Sequence, residues 1–430
     1  MLKTYTYSEL SPEQLNTLVL RNTDPANAIQ QTVESIIQEV QTKGDAALIH
    51  FAEQFDNVKL NKLFLEEEEI QALAAGIGRK QQRALEIAFN NIHKFHQIQL
   101  RKEKKVDTMV GVTCWREPRP IERVGLYIPG GTAVLPSTFL MLGIPARIAG
   151  CKEIVVCSPP QMDGKVNGYL AYCAYLLKIK RIYLVGGGQA IAALAYGTES
   201  IPKVDKIFGP GNQFVTKAKT IIQATTPTAI DMPAGPSEVL VIADKSSNPV
   251  FVAADLLAQA EHGNDSQAIL VSNSLELIDQ VNEELSKQIS VLPRAVIAQA
   301  AINNSYAILC TNLVEAIDFS NLYAPEHLII SVDDWQSLTN KIVNAGSVFL
   351  GHLTPESAGD YASGTNHTLP TSAYARSYSG VSVDSFVKKI TFQYITEEGL
   401  QNIGSTVEIL AELEGLQAHK NAVTVRLGGN

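Results

Sequence analysis

The spacing of apolar residues changes once along the chain. Between residues 25 and 99, apolar side chains recur every three or four positions, as with Ile36 and Val40. Because this spacing gathers apolar side chains on one face of a helix, it predicts helices, which the glycines of residues 76–78 interrupt. From Val124 onward, short apolar runs alternate with segments of helical spacing. That alternation is typical of parallel β-sheets covered by helices.

The predicted strands fall into two series. Most strands of the first series are followed within a few residues by a glycine- or proline-bearing turn and a helix. The first series comprises residues 125–128, 153–157, 181–185 and 205–208, and the second comprises residues 238–243, 268–271, 306–309, 327–330 and 347–350. Each series predicts one doubly wound, incomplete Rossmann-like parallel sheet, so the expected fold class is α/β with two such domains.

The first series is predicted to be an insertion near the start of the second. Residues 1–25 form an N-terminal segment. One α/β domain comprises residues 26–124 and 238–380, and the other comprises residues 125–237. Residues 381–430 are predicted to form a tail of short helices, which is too small to hold much core and docks elsewhere.

The composition is that of a globular protein with an acidic balance. Of 430 residues, 45% are hydrophobic and 18% are charged, and the net charge is −9. Because phosphate binding needs a basic face, nucleic acid is not an expected partner. The five cysteines form no CxxC motif, which favours reduced thiols. We find neither a signal-peptide pattern nor an apolar run of about 18 residues, and so expect a cytoplasmic protein without a membrane partner.

Three glycine-bearing loops follow strands of the first series, at residues 129–131, 186–188 and 209–211. A strand, a glycine turn and a helix N-terminus together direct backbone N–H groups toward a phosphate. The loops therefore indicate a nucleotide or another phosphorylated ligand, although the GxGxxG and GxxxxGK[ST] patterns are absent. An equally good interpretation is that these glycines only close tight turns.

Glu326 and His327 stand side by side at a predicted strand entrance, directly after Pro325. Neighbouring residues on a regular strand point to opposite faces, so the backbone must be irregular for both side chains to enter one cavity. In that case the pair would suit general acid–base chemistry. The alternative is a capping glutamate and a half-buried histidine.

Gln259 and His262 are three residues apart in a segment that is predicted to be a helix ending at a glycine. Their side chains would leave one helix face a turn apart, each with a neutral donor suited to zinc. Ordinary polar contacts are the alternative for this pair alone. Asp360, in the polar loop of residues 355–367, and His419, in the tail, would complete a set of nitrogen and oxygen ligands.

Long and specific blocks of this sequence resemble the histidinol dehydrogenase family, and the resemblance extends over residues 26–426. The blocks are ERVGLYIPGG (122–131), KIFGPGN (206–212), DMPAGPSE (231–238), QAEH (259–262), PEH (325–327), ESAGDYASGTNH (356–367) and AHKNAV (418–423). The resemblance implies an NAD- and zinc-dependent enzyme that oxidises L-histidinol, through L-histidinaldehyde, to L-histidine in the last steps of histidine biosynthesis. It also implies a homodimer whose C-terminal tail reaches into the partner's site.

The family's functional residues can be carried over to matching positions. The resemblance implies zinc ligation by Gln259, His262, Asp360 and His419, with His419 supplied by the other subunit. It implies NAD contacts by Tyr127, Gln189 and Asn212, which puts the 125–237 domain on the NAD side and the other domain on the metal and substrate side. Substrate contacts are implied for Ser237, Gln259, His262, His327, Asp360, His367, Glu414 and His419.

The implied reaction needs a proton acceptor and an activated water. His327, whose imidazole titrates near neutral pH, is predicted to accept a proton in both oxidations. Glu326 is predicted to activate the water that supplies the second oxygen, and zinc is expected to orient the imidazole and amine of the substrate. A thiol route through Cys114 or Cys151 is disfavoured, because no His or Lys stands beside Cys114 to lower its pKa.

Two other classes of function use the same ligand set. A zinc-dependent amidohydrolase would not need three glycine loops beside strands. A non-catalytic protein would use zinc only to fasten a dimer. Reduction of NAD in the presence of histidinol separates the dehydrogenase from both alternatives.

Overall fold

The computed structural model describes residues 1–20, 27–101, 103–130, 134–233 and 235–429. Pro25, where the first helix is predicted to begin, and Gly131, in the first glycine loop, lie outside the described residues. In the described part of the chain, no helix combines the length and the apolar character that a bilayer crossing requires. The cytoplasmic location stays a prediction.

Short strands and longer helices alternate over most of the chain. The strands, in chain order, are β1 (Lys3–Thr6), β2 (Phe64–Leu65), β3 (Val106–Met109), β4 (Val112–Pro120), β5 (Arg123–Tyr127), β6 (Glu153–Ser158), β7 (Ile182–Leu184), β8 (Lys206–Phe208), β9 (Ala229–Ile230), β10 (Glu238–Ala243), β11 (Gln267–Ser272), β12 (Tyr306–Leu309), β13 (His327–Ser331), β14 (Ser347–Leu350) and β15 (Val387–Ile395). Every predicted strand has an observed counterpart, from β5 to β8 and from β10 to β14.

Helices connect most of these strands. In chain order they are α1 (Pro12–Val19), α2 (Asn27–Lys43), α3 (Asp45–Phe55), α4 (Glu67–Ala75), α5 (Arg79–Gln97), α6 (Pro136–Ala149), α7 (Gly168–Leu176), α8 (Gly187–Tyr196), α9 (Gln213–Thr225), α10 (Pro249–Ala260), α11 (Leu275–Ile289), α12 (Ala295–Asn303), α13 (Leu313–Tyr323), α14 (Gln336–Thr339), α15 (Glu356–Tyr361), α16 (Glu397–Leu413) and α17 (Gln417–Thr424). Helix α15 lies inside residues 355–367, which were predicted to be a loop throughout.

Two six-stranded sheets and one three-stranded sheet organise the fold. The first sheet has the order β2-β7-β6-β5-β8-β9 and is parallel except for β2, which runs antiparallel to β7. The second sheet has the order β1-β12-β11-β10-β13-β14 and is parallel throughout. Every residue of β10 is buried, as expected for a parallel strand covered on both faces. The predicted α/β class is therefore confirmed.

The N-terminal helices pack differently from the predicted grouping of residues 26–124 with residues 238–380. Val33, Phe51 and Ile92, on α2, α3 and α5, share one apolar core with Leu126 of the first sheet. The N-terminal segment, in turn, supplies β1 to the second sheet, where Lys3 pairs with Tyr306. The hydrophobic pattern identifies which helix face is buried but not the surface that covers it.

The C-terminal tail is also different from the prediction of short helices alone. It begins with the nine-residue strand β15, which pairs antiparallel along the whole of β4 and with it forms the three-stranded sheet β15-β4-β3. Helix α16, of 17 residues, packs on this sheet, and α17 packs on α16. The sheet was missed because β15 is largely exposed and so lacks a continuous apolar run.

The strand order positions the sites. In the first sheet the chain passes from β5 to β6 on one side, while β8 lies on the other, so a topological switch point lies between the carboxyl ends of β5 and β8. In the second sheet, β10 and β13 are adjacent, and their first residues are Glu238 and His327. Thr138, near the start of the helix that follows β5, contacts His367. His367 bonds to the backbone of Asp360, whose carboxylate contacts His327 at the amino end of β13.

Candidate metal and acid–base site

Three side chains form a cluster with metal-ligand geometry. His262, Glu356 and Asp360 each offer one donor atom, and these atoms all lie within 4.8 Å of one another. Glu356 and Asp360 are four residues apart on α15, so both carboxylates leave the same helix face. Helix α10 packs against α15, which brings His262 to the two carboxylates. Nitrogen and oxygen donors of this kind suit zinc.

Gln259 gives an independent indication of a missing ligand. Its side chain is 1% exposed, and within the described part of the chain neither of its amide atoms has a hydrogen-bond partner. A buried amide without partners is costly, and a metal ion would satisfy its oxygen. The helix ends at Ala260, and the N–H of His262 donates to the carbonyl of Gln259 at 3.2 Å. His262 therefore lies in the turn after α10 and not within the predicted helix.

The donor set therefore fits a divalent metal, because His262 clusters with Asp360 and the amide of Gln259, three residues before His262, is buried without a partner among the described residues. His419 does not join this cluster in the single chain: it is exposed on α17, which packs on α16. Glu414 directly follows α16 and is also exposed. His419 was predicted to act in the other subunit and Glu414, in the same tail, to contact the substrate, so both roles stay predictions.

His327 lies buried among carboxylates at the start of β13. Its Nε2 is 3.4 Å from Oδ1 of Asp360, and its Nδ1 is 3.7 Å from Oε2 of Glu326 and 3.8 Å from Oε1 of Glu356. Burial alone would lower the pKa of His327, but the carboxylates of Glu356, Glu326 and Asp360 outweigh it and raise the pKa to about 10. The imidazole is therefore poised to hold a proton.

Glu326 is the neighbour of His327 in the chain and also in space. Burial raises the pKa of Glu326 to about 7, although the N–H of Glu238 donates to its Oε2 at 3.0 Å. The backbone before it is irregular, because Ala324 is left-handed with φ 53° and Pro325 follows. An irregular backbone of this kind is needed if two consecutive side chains are to enter one cavity. A carboxyl group that titrates near neutral pH is suited to act as a base.

Glu356 was not identified from the sequence, although it is central to the site. It is 1% exposed, and burial raises its pKa to about 8. Burial would also raise the pKa of Asp360, but the contact with His327 outweighs this effect and lowers it. The available signal was the Glu-x-x-x-Asp spacing, which places two carboxylates on one helix face only if the segment is helical.

His367 and Ser237 border this cluster in different ways. The Nδ1 of His367 hydrogen-bonds to the backbone oxygen of Asp360 at 2.9 Å, and its Nε2 contacts the hydroxyl of Thr138 at 3.1 Å. Burial lowers the pKa of His367, which favours the neutral ring. Ser237 is half-buried directly before β10, and its carbonyl accepts from the N–H of Gln267.

The predicted NAD contacts lie at the carboxyl edge of the first sheet. Tyr127 ends β5, and its buried hydroxyl accepts a hydrogen bond from the N–H of Gly187 at 3.2 Å. Burial raises the pKa of Tyr127 to about 12, so the phenol is neutral. Gln189 is buried in the first turn of α8. Asn212 caps α9, with its Oδ1 accepting from the N–H groups of Phe214 and Val215.

The cysteines are reduced and do not form part of the cluster. All five are free, and Cys114 lies on β4 in the three-stranded sheet. Burial raises the pKa of the Cys151 thiol to about 12, which removes the thiolate needed by a nucleophile. The geometry thus gives no support to the thiol route.

Fold and site together define a class of protein. It has two parallel α/β sheets, glycine loops at the carboxyl edge of the first sheet, and a buried imidazole and carboxylates beside a metal-type donor set at the amino edge of the second. Such a protein combines loops of the kind that bind the phosphates of a nucleotide with groups that suit acid–base chemistry.

Comparisons with known proteins identify the family. The family model described as Histidinol dehydrogenase matches residues 19–427. The histidinol dehydrogenase of Bacteroides thetaiotaomicron is 53% identical over 417 residues, covering 97% of this chain and 97% of that protein. The chloroplastic histidinol dehydrogenase of Arabidopsis thaliana is 53% identical over 429 residues, covering 99% and 91%. The crystal structure of histidinol dehydrogenase from Elizabethkingia anophelis aligns with a TM-score of 0.96 and 50% identity, covering 99% of this chain and 98% of that one. The chain belongs to the histidinol dehydrogenase family, a family of oxidoreductases.

Proposed function

We propose that this protein oxidises L-histidinol to L-histidine in two NAD-dependent steps, through L-histidinaldehyde, at the end of histidine biosynthesis. The observation that carries the proposal is the placement of His327 between Glu326, Glu356 and Asp360 beside the metal donor set, in a member of this family. Each oxidation removes a hydride from the same carbon atom and a proton from a hydroxyl group on that carbon, so one base can serve both.

A zinc ion is proposed to be held by Gln259, His262 and Asp360, together with His419 of the partner subunit. The unpartnered amide of Gln259 and the converging donors of His262 and Asp360 support this ligand set. When bound, the ion supplies orientation, by holding the imidazole and the amine of the substrate. Ser237, His367 and Glu414 of the partner subunit are proposed as further substrate contacts.

His327 is proposed to accept the proton of the alcohol in the first oxidation and of the hydrated aldehyde in the second. The surrounding carboxylates stabilise the ring once it carries that proton. A metal bound by Asp360 would neutralise part of this negative charge and so lower the pKa of His327. The ring would then be able to lose its proton before the reaction begins.

Glu326 is proposed to activate the water that attacks the aldehyde carbon. The aldehyde lacks the second oxygen of the product, and water is its source. Burial raises the pKa of Glu326 toward neutrality, which strengthens the carboxylate as a base. The proton from water then resides on a group close to His327, whose Nδ1 is 3.7 Å from the Glu326 carboxylate.

NAD is proposed to bind at the switch point of the first sheet, in contact with Tyr127, Gln189 and Asn212. The glycine loops there precede α8 and α9, whose N-termini favour a phosphate. When bound, the cofactor accepts the hydride. Thr138, which contacts His367, supports an arrangement in which the two sites face one another.

A homodimer with an exchanged tail is proposed to complete the site. Apolar side chains on the tail are exposed in the single chain, including Ile409, Leu410 and Leu413, the last by 78%. Exposed apolar groups clustered on one element are typical of a protein–protein interface. His419 and Glu414 belong to the same tail, which supports their proposed action in the partner's site.

The test is an assay of the purified protein with L-histidinol and NAD, followed by absorbance at the nicotinamide band. The proposal expects two NADH per histidine formed and loss of turnover when a chelator removes the metal. Absence of NAD reduction with histidinol would rule out the dehydrogenase and leave the amidohydrolase. Chelation that separates the subunits of a protein with no turnover would instead support a zinc-fastened dimer.

A further inference from the structure

A buried ion pair lies beneath the third glycine loop and has no role in the proposed reaction. Lys219, on α9, contacts Asp231, directly after β9, and the two side chains are only 4% and 1% exposed. A buried pair is weak evidence for stability, because removing two charges from water costs about as much as their attraction returns. Its position in the fold is therefore the informative property.

Both charges of this pair hold the backbone of Gly209. The N–H of Gly209 donates to Oδ2 of Asp231 at 2.9 Å, and the carbonyl of Gly209 accepts from Nζ of Lys219 at 2.9 Å. The other carboxylate oxygen of Asp231 accepts from the N–H of Met232 at 2.8 Å. The peptide groups on both sides of Gly209 are thus fixed by groups of opposite charge, which form stronger hydrogen bonds than neutral ones.

Gly209 adopts a backbone conformation that is open to glycine but not to residues with a side chain. Its φ is 131°, in the region that side chains rarely tolerate, and a side chain there would collide with the backbone oxygen of Tyr127. The loop therefore lies against the end of β5. Tyr127, which ends β5, and Asn212, three residues after this glycine, are two of the three proposed NAD contacts.

The pair also connects this loop to the segment that joins the two sheets. Strand β9 pairs with β8, and the N–H of Asp231 donates to the carbonyl of Ile207 at 3.0 Å. Asp231 then begins residues 231–237, which lead into β10 and carry Ser237. Asp231 therefore holds the glycine loop near the proposed NAD contacts and also begins the segment that carries Ser237.

We propose that Lys219 and Asp231 are positioning residues that hold the loop of residues 209–212 in the shape that binds NAD. This inference rests on the proposed NAD site. Because a loop that is already in its bound shape loses less conformational entropy on binding, the pair would act on cofactor affinity. It would act little on the chemical step, since neither residue belongs to the acid–base cluster around His327.

The test is the double variant Lys219→Met with Asp231→Asn. It leaves no unpaired buried charge, and asparagine keeps an acceptor for the N–H of Gly209. We expect a thermal midpoint close to that of the unaltered protein and a Kd for NAD, measured by calorimetry without histidinol, that rises about tenfold. The KM for NAD should rise with it, while kcat at saturating NAD and the KM for histidinol change less than about twofold.

The matched control is Arg123→Met with Asp205→Asn. Arg123 and Asp205 pair at 3.5 Å, and each side chain is 45% exposed. They lie at the amino ends of β5 and β8, two strands whose carboxyl ends lead into glycine loops. Because that edge is opposite to the glycine loops, the control should bind NAD as the unaltered protein does.

NAD binding of unchanged strength in the double variant would overturn the inference while leaving the proposed function intact. If the double variant does not fold, Asp231→Glu replaces it: the charge is kept, but the longer side chain displaces the carboxylate from Gly209. Unaltered NAD affinity in this variant would likewise overturn the inference. Failure of the unaltered protein to bind NAD would instead reject the proposed function on which the inference rests.

Discussion

Glu326 and His327 are adjacent in the chain, yet the proposed reaction uses them differently. Glu326→Gln removes the base that activates water but leaves the imidazole in place. We expect aldehyde oxidation to slow by at least about 100-fold, and alcohol oxidation by less than about tenfold, because only the aldehyde step consumes water. Single-turnover assays that start from histidinol or from histidinaldehyde measure the two steps separately.

The contrasting variant is His327→Asn, which should slow both steps to a similar extent because the imidazole is the shared proton acceptor. Equal losses in both half-reactions for Glu326→Gln would remove its role in water activation. Retention of either oxidation by His327→Asn would exclude His327 as the common base.

Asp56 provides a prediction about the stability of the fold. It directly follows α3, its Oδ2 is buried without a partner among the described residues, and burial raises its pKa from 3.8 to about 6. A carboxyl whose folded pKa is raised favours the folded state most below its unfolded pKa, and that contribution is lost as the pH rises through about 6. Asp56→Asn removes the charge and should therefore raise Tm by about 1–2 °C at pH 7.5, and by less at pH 5.

Thermal unfolding of both proteins, at both pH values, measures this difference. A gain that is the same at pH 5 and pH 7.5 would show that ionisation of Asp56 is not its cause.

At the scale of elements, two helices begin with nearly identical asparagine caps. One helix follows a strand of the first sheet, and the other follows a strand of the second. Asn212 caps α9 beside the proposed NAD site, and Asn312 caps α13, each through two backbone N–H groups. Replacing either by alanine should cost about 1 kcal/mol of stability, since the same two donors lose their acceptor. Only Asn212→Ala should also weaken NAD binding, by about fivefold, through loss of a cofactor hydrogen bond.

Denaturant unfolding measures the cap, and calorimetry with NAD measures the contact. Asn312→Ala is the control for the effect of capping alone. If both variants bound NAD equally well, Asn212 would be a structural cap and no more.

At the scale of the whole molecule, the exchanged tail can be tested by mixing defective subunits. A Glu326→Gln subunit has its defect outside the tail, in the part of the chain that we call the body. A His419→Ala subunit has its defect in the tail. If the tail acts in the partner's site, a mixed dimer contains one site with both defects and one with neither. Random pairing should then restore about one quarter of the unaltered activity.

Activity of the mixture, after co-expression or refolding together, is the measurement. Glu326→Gln mixed with His327→Asn is the matched control, because every site then keeps one defect in its body. A mixture with His419→Ala that stayed as inactive as its parents would mean that each tail serves its own chain.

Local patterns were sufficient for features set by neighbouring residues. Strands β5 to β8 and β10 to β14 were predicted because a strand buried on both faces must be a continuous apolar run, as β10 is. The edge strands β1, β2 and β9 of the two six-stranded sheets were not predicted. The proximity of Glu326 to His327 and of Gln259 to His262 follows from residues that are one or three positions apart, where backbone geometry limits the distance. The proposed ligands and NAD contacts came from the resemblance of the blocks, and the spacing alone left alternatives open.

Only the tertiary structure decided which surfaces meet. It placed α2 to α5 on the first sheet, added Glu356 to the cluster and buried Lys219 against Asp231 under Gly209. A periodic apolar face shows that a helix is buried but not what it is buried against, because many partners satisfy the same pattern. Likewise, a lone glutamate or lysine is most often solvated, and it becomes a buried functional group only when residues distant in the chain enclose it.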